Sequence, residues 1–296
     1  MDTVANNTVF ENDEFKNGDF KNEQSELVLN EHFDFASSSL IDAAIVVESE
    51  LTGVAVKKFK DDLRLQHLVI KSKLSGYVRA DKSKLEQLLN ILYQQQEFQG
   101  DWEAFFKVEN ALISRVLARR KGIPISLGVL FMDLLTACDF NVQGICFPSG
   151  FLIRISLEDD ILYLDPFTGE LPSWEQLELR VRGQLGNHAR LTLDMLQPDD
   201  NKTIIIRLIN VIKAGYIQEE LLDRALLCCD ILLRIEPEDA YEVRDRGFLF
   251  QQLDCYNLAS SDFEYFIEQF PQDPLVSLLK RQIKQMNFEK ITQVIH

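Results

Sequence analysis

A 34-residue repeat near the end of the chain constrains its fold more than any other feature. From residue 203 onward the apolar pattern is helical throughout. Within this region, four pairs of residues of matching type are separated by 34 positions. They are Pro237 and Pro271, Tyr216 and Phe250, Ala225 and Ala259, and Asp239 and Asp273. A helical bundle with coincidental spacing is the alternative, but four pairs in one register favour a repeat.

Thirty-four residues is the period of the tetratricopeptide repeat, a helix pair with an aromatic residue in its first helix, alanine where the helices cross and proline after the second. Gly247 and Phe263 also occupy expected positions, whereas Lys213 and Cys229 stand where glycine and an aromatic residue are usual. The stretch from residue 275 to about residue 288 is expected to cap the stack.

The middle of the chain changes character at Gly122. Pro124 cannot lie inside a helix, so residues 122–126 are predicted to form a turn. Ser126 then becomes the predicted N-cap of a helix that runs from Leu127 to about Asp139.

Three strand-like runs follow this helix, at residues 142–147, 151–157 and 161–164. A turn that begins at Asp165 and Pro166 closes the set. One helix followed by three closely linked strands predicts an α+β core with the helix packed on an antiparallel sheet.

The chain before this core divides in two. Residues 1 to about 36 are rich in Asn, Asp and Glu, so we predict a disordered acidic tail. From Leu40 the pattern is helical, and Asp81 is a plausible N-cap. The predicted domains are the tail (1–36), a core with N-terminal helices (37–200) and the helical repeats (201–296).

Composition excludes several functions. The chain has 296 residues and a net charge of −16, from 47 acidic and 31 basic side chains, so nucleic-acid binding is not expected. We find neither a signal peptide, a long apolar run, a metal-ligand cluster nor a glycine-rich phosphate loop. The five cysteines lack the spacing of zinc, redox or disulfide sites. We therefore expect a cytoplasmic protein without metal or cofactor.

Three segments carry a family resemblance. RRKGIPISLGVLFMDLLTACDFNVQGICFPSGFLIRI, which begins at Arg119, and the later LYLDPFTGE resemble the SirB family of bacterial transglutaminase-like proteins. Members of that family carry tetratricopeptide repeats after the core, and YEVRDRGFLFQQLD, from Tyr241, resembles the second repeat. The resemblance covers about residues 40–290. It implies a predominantly helical α+β fold, with a papain- or transglutaminase-like core followed by the repeats.

The transglutaminase fold uses Cys, His and Asp in that chain order. The Cys at a helix N-terminus is the nucleophile, the His transfers its proton and the Asp orients the His. The resemblance places the nucleophile position on Ser126, the His position on Gly150 and the acid position on Asp165. A serine hydroxyl needs a general base, which a helix dipole worth about 0.3–2 kcal/mol cannot replace.

Few histidines could supply that base. His32 lies in the predicted tail and His296 at the terminus, and only His188 could reach the core from a nearby loop. We expect His188 to be exposed.

Structural roles account for the other candidate residues. Helix capping explains Ser126, and turn formation before Pro166 explains Asp165. Cys146 is expected to be a small core residue rather than a displaced nucleophile. The basic run Arg119–Lys121 could bind an anion, but its position at a helix C-terminus favours a role in complementing the helix dipole.

The repeat register predicts a groove for a protein partner, lined by the first helix of each repeat. The inward positions are Arg207, Asn210, Tyr241, Arg244 and Gln251. Two inward arginines suggest an acidic peptide or a carboxyl terminus as the partner. Alternatively, the arginines pair with local acids such as Glu242 or Asp245, and both interpretations stay open.

The sequence thus predicts a protein-binding or regulatory scaffold whose transglutaminase-like core has lost its catalytic residues. The alternative is an enzyme, namely a residual amide hydrolase or acyltransferase that uses Ser126 and Asp165 with an unidentified base. A base within about 3.5 Å of the Ser126 hydroxyl distinguishes the enzyme from the scaffold.

Overall fold

The computed structural model describes residue 29 and residues 33–148 and 150–294. This part of the chain is a predominantly helical α+β protein, as the sequence predicts. Its helices are α1 (Leu40–Thr52), α2 (Val56–Lys73), α3 (Lys82–Asn90), α4 (Ile113–Arg119), α5 (Pro124–Ala137), α6 (Trp174–Leu185), α7 (Asn201–Gln218), α8 (Leu222–Ile235), α9 (Ala240–Gln252), α10 (Tyr256–Gln269) and α11 (Val276–Val294). Its strands are β1 (Gln99–Gly100), β2 (Lys121–Gly122), β3 (Asn141–Ile145), β4 (Leu152–Ser156) and β5 (Ile161–Leu164).

Side-chain caps fix the start of several helices. Asp81 accepts the N–H of Lys84 at the start of α3, as the sequence predicts. Asp239 accepts two backbone N–H groups at the start of α9. Because the first N–H groups of a helix have no partner within it, these carboxylates satisfy donors that are otherwise unpaired.

The three predicted strands form an antiparallel sheet in the order β3-β4-β5. Ile153 and Ile155 of β4 join the main core, together with the buried residues of α5. Leu152, on the opposite face of the same strand, packs with Leu177 and Val181 of α6. The sheet is therefore covered on both faces, with α5 on one and α6 on the other.

Helix α5 begins three residues before the predicted start. Pro124 is its first residue and Ile123 its N-cap. Proline is tolerated there because the first helical N–H would be unpaired anyway. Ser126 is consequently not the N-cap but the third helical residue, where its hydroxyl accepts the N–H of Ile123.

The packed chain begins before the predicted domain boundary at residue 37. Leu29 is fully buried in the main core. Phe33 and Phe35 pack against that core, and their rings contact each other edge to face with centroids 4.7 Å apart. Residues 1–28 and 30–32, which carry most of the predicted tail, lie outside the described residues, so their disorder stays a prediction.

The repeats have the predicted register. Helices α7 and α8 form the first pair and α9 and α10 the second, and α11 follows at the predicted capping position. Ala225 and Ala259 are fully buried, as expected where paired helices cross closely. Lys213, which replaces the usual glycine, is buried and forms an ion pair with Glu242 of the second repeat.

The first repeat shares its core with the transglutaminase-like part. The buried apolar residues of α7, among them Ile205 and Ile209, belong to one cluster with those of α1 and α5. Arg224 of α8 donates to the carbonyl of Leu51, at the end of α1, at 2.6 Å. The second pair builds a separate cluster around Phe263 and Phe266.

Over the residues that the structure describes, no helix is both long and apolar enough to cross a bilayer. The same residues include no group of three His, Cys, Asp or Glu side chains that could hold a metal ion.

Candidate functional site

A cleft of about 430 Å³ lies where the resemblance places the catalytic site. Pro124 at the start of α5, Gly150 before β4 and Asp165 after β5 all line it. Trp102, which is 72% exposed, and Arg180 of α6 complete the polar and aromatic parts of the wall. The fold therefore brings two of the three predicted triad positions to one cleft.

The third position, Ser126, is fully buried beneath the start of α5. Its Oγ lies 2.5 Å from the carbonyl oxygen of Asn110 and 3.1 Å from that of Ile123, and it accepts the N–H of Ile123 at 3.1 Å. All of these partners are backbone groups, so the hydroxyl acts as a structural link between α5 and the segment before α4.

Gly150, where the resemblance places the family's histidine, has no steric need to be glycine. A Cβ at this position would lie 3.7 Å from the nearest atoms of Pro124, which is ordinary contact. Arg207 of α7 donates to the Gly150 carbonyl at 2.8 Å and to that of Phe147 at 3.2 Å. The side chain of Arg207 therefore holds the turn between β3 and β4.

Asp165 is held by an arginine rather than by a histidine. Its Oδ2 accepts from Arg180 Nη1 at 2.6 Å, and its Oδ1 accepts the N–H of Phe167 at 2.8 Å. The second bond is the predicted turn interaction. Tyr93 lies close by and donates to the carbonyl of Pro166, and burial followed by the Asp165 charge raises the pKa of Tyr93.

Neither histidine in the described chain reaches Ser126. His67 Nε2 of α2 lies 2.6 Å from Asp133 Oδ2 of α5, and neither residue lines the cleft. Burial raises the pKa of Asp133, although His67 opposes this shift. His188 is exposed, as expected.

Cys146 has the environment of a poorly ionised thiol. It is half-buried, and its backbone N–H donates to Asp199 at 2.6 Å. Burial and the neighbouring Asp199 raise the pKa of Cys146 to about 11. A thiolate, not a thiol, is the nucleophile in cysteine chemistry, so this position is unfavourable for one.

The predicted groove residues differ in their surroundings. Arg207 is bonded to the core as described above, and Asn210 donates to the carbonyl of Ile206. Tyr241 is 45% exposed and stacks near Phe270. Arg244 pairs with Asp245 at 2.6 Å, which is the alternative that the sequence left open.

Arg244 also has aromatic neighbours, since its guanidinium lies 5.2 Å from the ring centroids of both Tyr241 and Phe266. Gln251 is partly exposed at the end of the same helix, α9. Helix α9 is partly exposed and carries three of the predicted groove residues, Tyr241, Arg244 and Gln251. Arg207, on α7, instead binds the turn between β3 and β4.

Sequence reasoning missed Arg180 because it missed helix α6. A signal for that helix is present: Ser173 accepts the N–H of Gln176, and the Gln176 side chain accepts the N–H of Ser173. A serine followed three positions later by glutamine, just before an apolar residue, is the pattern of a capping box. The pairing of Arg180 with Asp165 has no such local signal.

Comparison with known proteins agrees with this architecture. Residues 53–210 match the family model of the transglutaminase-like superfamily, and residues 212–284 match that of the tetratricopeptide repeat. A UPF0162 protein of Vibrio cholerae is 38% identical over 258 residues, which cover 86% of this chain and 95% of the relative.

Two further relatives come from enteric bacteria. Protein SirB1 of Salmonella typhimurium is 31% identical over 89% of this chain and 98% of its own length. The UPF0162 protein YchA of Escherichia coli is 32% identical over 75% of this chain and 86% of its own length. No solved structure matches the chain. With both family models matched in order and relatives aligned along nearly their full length, this chain belongs to the SirB1/UPF0162 family of transglutaminase-like proteins with tetratricopeptide repeats.

Proposed function

We propose that this protein is a non-catalytic member of its family that acts as a scaffold and binds a protein partner through its second repeat. One observation carries the first half of the proposal: the hydroxyl of Ser126 is buried and bonded only to backbone groups. A nucleophile must reach both a substrate carbonyl and a base, and this hydroxyl contacts neither the cleft nor an imidazole.

The rest of the cleft supports the same proposal. Gly150 has no side chain that could act as a base. Arg180 donates to Oδ2 of Asp165, the carboxylate oxygen that would otherwise orient a histidine. In a serine triad, the base and its orienting acid together account for several orders of magnitude in rate. A residual hydrolase that uses Ser126 and Asp165 would need α5 to unwind at its start before chemistry.

The second half of the proposal rests on the surface of α9. Tyr241 is exposed beside the Arg244 guanidinium, and the exposed ring of Phe270 lies 4.9 Å from that of Tyr241. Aromatic residues and arginine are favoured anchors at protein interfaces. Arg244 is 18% exposed and pairs with Asp245, which is 42% exposed. A guanidinium has five N–H donors, so a partner carboxylate can bind the exposed part of Arg244 beside Asp245.

Affinity capture from the native host tests this function. The full chain and the variants Tyr241→Ala and Leu258→Ala serve as baits, because both side chains are exposed on the second repeat but only Tyr241 lies on α9. We expect one protein to be recovered by the wild-type chain and by Leu258→Ala and to be lost with Tyr241→Ala. The purified protein must then bind directly. Equal recovery by both variants would contradict the proposed site.

A further inference from the structure

A second cavity, of about 690 Å³, lies between the end of α1, α2 and α4. It shares no lining residue with the triad cleft. Its wall includes Arg120, which belongs to the basic run at the end of α4. The sequence favours a role for the run Arg119–Lys121 in complementing the helix dipole. In the structure, Arg119 and Arg120 have different surroundings.

Arg119 has all the partners that a structural arginine needs. It donates to the side chain of Asn110 at 2.8 Å and pairs with Glu109 at 2.9 Å. These bonds give Arg119 a structural role at the end of α4. Arg120 has no ion pair of this kind among the described residues.

Arg120 is held in an unfavourable state. Its backbone has a left-handed conformation with φ of 62°, which costs free energy in a residue with a Cβ. Its Nη2 donates to Gln66 Oε1 at 3.1 Å, and the guanidinium stacks on the ring of Phe98. Its Nη1 is buried, and no group of the described residues accepts a hydrogen bond from it. Burying a charged donor without a partner is costly, so such a group calls for an explanation.

The charge of the cavity is opposite to that of the protein. Three cations line it, Lys58, Arg115 and Arg120, against one acid, Asp62. The chain as a whole has a net charge of −16. A locally positive cavity on an acidic protein attracts small anions and raises their local concentration.

The remaining wall is apolar on one side. Phe59 and Leu117 are buried there, whereas Leu65 and Val69 are 61% and 38% exposed along the rim. Exposed apolar side chains beside a cationic pocket fit a ligand that has both a charged and an apolar part. Inorganic anions such as phosphate make no use of this side.

We propose that this cavity binds a small organic anion in which a carboxylate is joined to an apolar group. The carboxylate pairs with the exposed cations Lys58 and Arg115, which line the cavity. The Arg120 guanidinium, stacked on Phe98 and bonded to Gln66, adds a fixed positive charge from the cavity wall. The apolar group lies against Leu65 and Val69.

Titration of the full chain with hexanoate, followed by amide chemical shifts in NMR, tests this site. Hexanamide is the matched uncharged probe, and inorganic phosphate is the matched anion without an apolar part. We expect hexanoate to cause saturable shifts at the cavity residues, with a dissociation constant on the order of a millimolar for so small a ligand. Hexanamide should bind at least about tenfold more weakly, since a hydrogen bond to a charged group contributes that much. Phosphate should also bind more weakly, because it has no apolar part to lie against Leu65 and Val69.

Variants locate the binding within the molecule. Lys58→Gln with Arg115→Gln removes two exposed rim cations and spares Arg120, whose loss could affect folding through Phe98. We expect this double variant to weaken hexanoate binding several-fold, and Lys57→Gln, an exposed cation outside the cavity, to leave it unchanged. The proposal is overturned if hexanoate causes no saturable shift at these residues, if hexanamide or phosphate binds equally well, or if the double variant binds like wild type.

Discussion

Lys213 and Glu242 form an ion pair that joins the two repeats in the interior of the protein. The Lys213 ammonium lies 2.8 and 2.6 Å from the two carboxylate oxygens of Glu242, and only 7% and 6% of the two side chains are exposed. Lys213 stands where glycine is usual in the repeat, and the carboxylate of Glu242 neutralises its buried charge. The two residues lie on different helices, Lys213 on α7 and Glu242 on α9.

Removal of one partner of this pair should be strongly destabilising. We expect Glu242→Ala to lower the free energy of unfolding by up to about 3–5 kcal/mol, because the buried Lys213 charge then has only the more distant Asp245, at 3.7 Å, as a counter-ion. Urea denaturation followed by circular dichroism measures this loss. The matched control is Glu236→Ala, which removes an exposed pair with Lys202 and should cost about 0–1 kcal/mol. Equal losses for the two variants would contradict the assignment of a buried pair.

Gly247 should not tolerate even a methyl group. A Cβ at this position would lie 2.8 Å from a ring carbon of Phe263, so α9 and α10 would have to move apart. We expect Gly247→Ala to lower stability by about 1–3 kcal/mol, as overpacking does. Gly183→Ala in α6 is the control, since nothing lies within 4 Å of its Cβ position. There alanine should raise stability by about 0.5–1 kcal/mol. Thermal melts of the two variants should therefore shift in opposite directions.

Glu48 should make the protein less stable as pH rises. It is buried on α1 and accepts from the backbone N–H and hydroxyl of Ser114. Burial raises its pKa above the ordinary value of 4.5, despite these bonds and the nearby Arg115. The folded state therefore binds the proton more tightly than the unfolded state, so this contribution is present below pH 4.5 and is lost as pH rises through the folded pKa.

Glu48→Gln removes that titration. We expect the stability of this variant relative to wild type to increase from pH 4.5 toward neutrality, measured by urea denaturation at a series of pH values. Glu86→Gln, at an exposed position on α3, should show no such trend. A stability difference that stays constant with pH in Glu48→Gln would show that the buried carboxyl does not titrate in this range.

Substitutions at the predicted triad positions should not change turnover. We expect Ser126→Ala to cost about 0.5–1.5 kcal/mol, because the hydroxyl's bonds to Asn110 and Ile123 are lost while the Ile123 N–H keeps the Asn110 carbonyl as an acceptor. Gly150→His should fold normally, given the ordinary contact with Pro124. Neither wild type nor Gly150→His should hydrolyse amide or ester substrates through Ser126, so Ser126→Ala should not lower the rate of hydrolysis. Turnover in wild type that disappears in a folded Ser126→Ala protein would favour the residual hydrolase.

Arg244 distinguishes a binding role from a structural role. If a partner carboxylate docks at α9, Arg244→Ala should weaken binding by about 1.5–3 kcal/mol, the range for a hydrogen bond to a charged group. Affinity should also fall as salt rises, because exposed charges are screened over about 8–10 Å. Calorimetry with the purified partner and a thermal melt of the same variant measure both effects. A lower melting temperature with unchanged affinity would assign Arg244 to its pair with Asp245.

The repeats were predictable from sequence because their constraints are local and periodic. Proline and alanine recur at a fixed spacing, and the helix pairs follow that register. The sequence predicts the start of α5 three residues late, because proline is unfavourable inside a helix, whereas Pro124 occupies the first turn, where proline is favoured. The bond from Arg207 to Gly150 spans 57 positions of the chain, and no local pattern encodes such a contact.

Helix α7 is at once the first helix of the repeat stack and a wall of the transglutaminase-like core. Its side chains bind both parts, since Arg207 donates to the carbonyl of Gly150 and Lys213 pairs with Glu242 of α9. The main hydrophobic core continues across residue 200, from α1 and α5 into α7 and α8. We therefore expect the first repeat and the transglutaminase-like core to unfold as one cooperative unit, and hydrogen exchange should give their amides a common opening free energy.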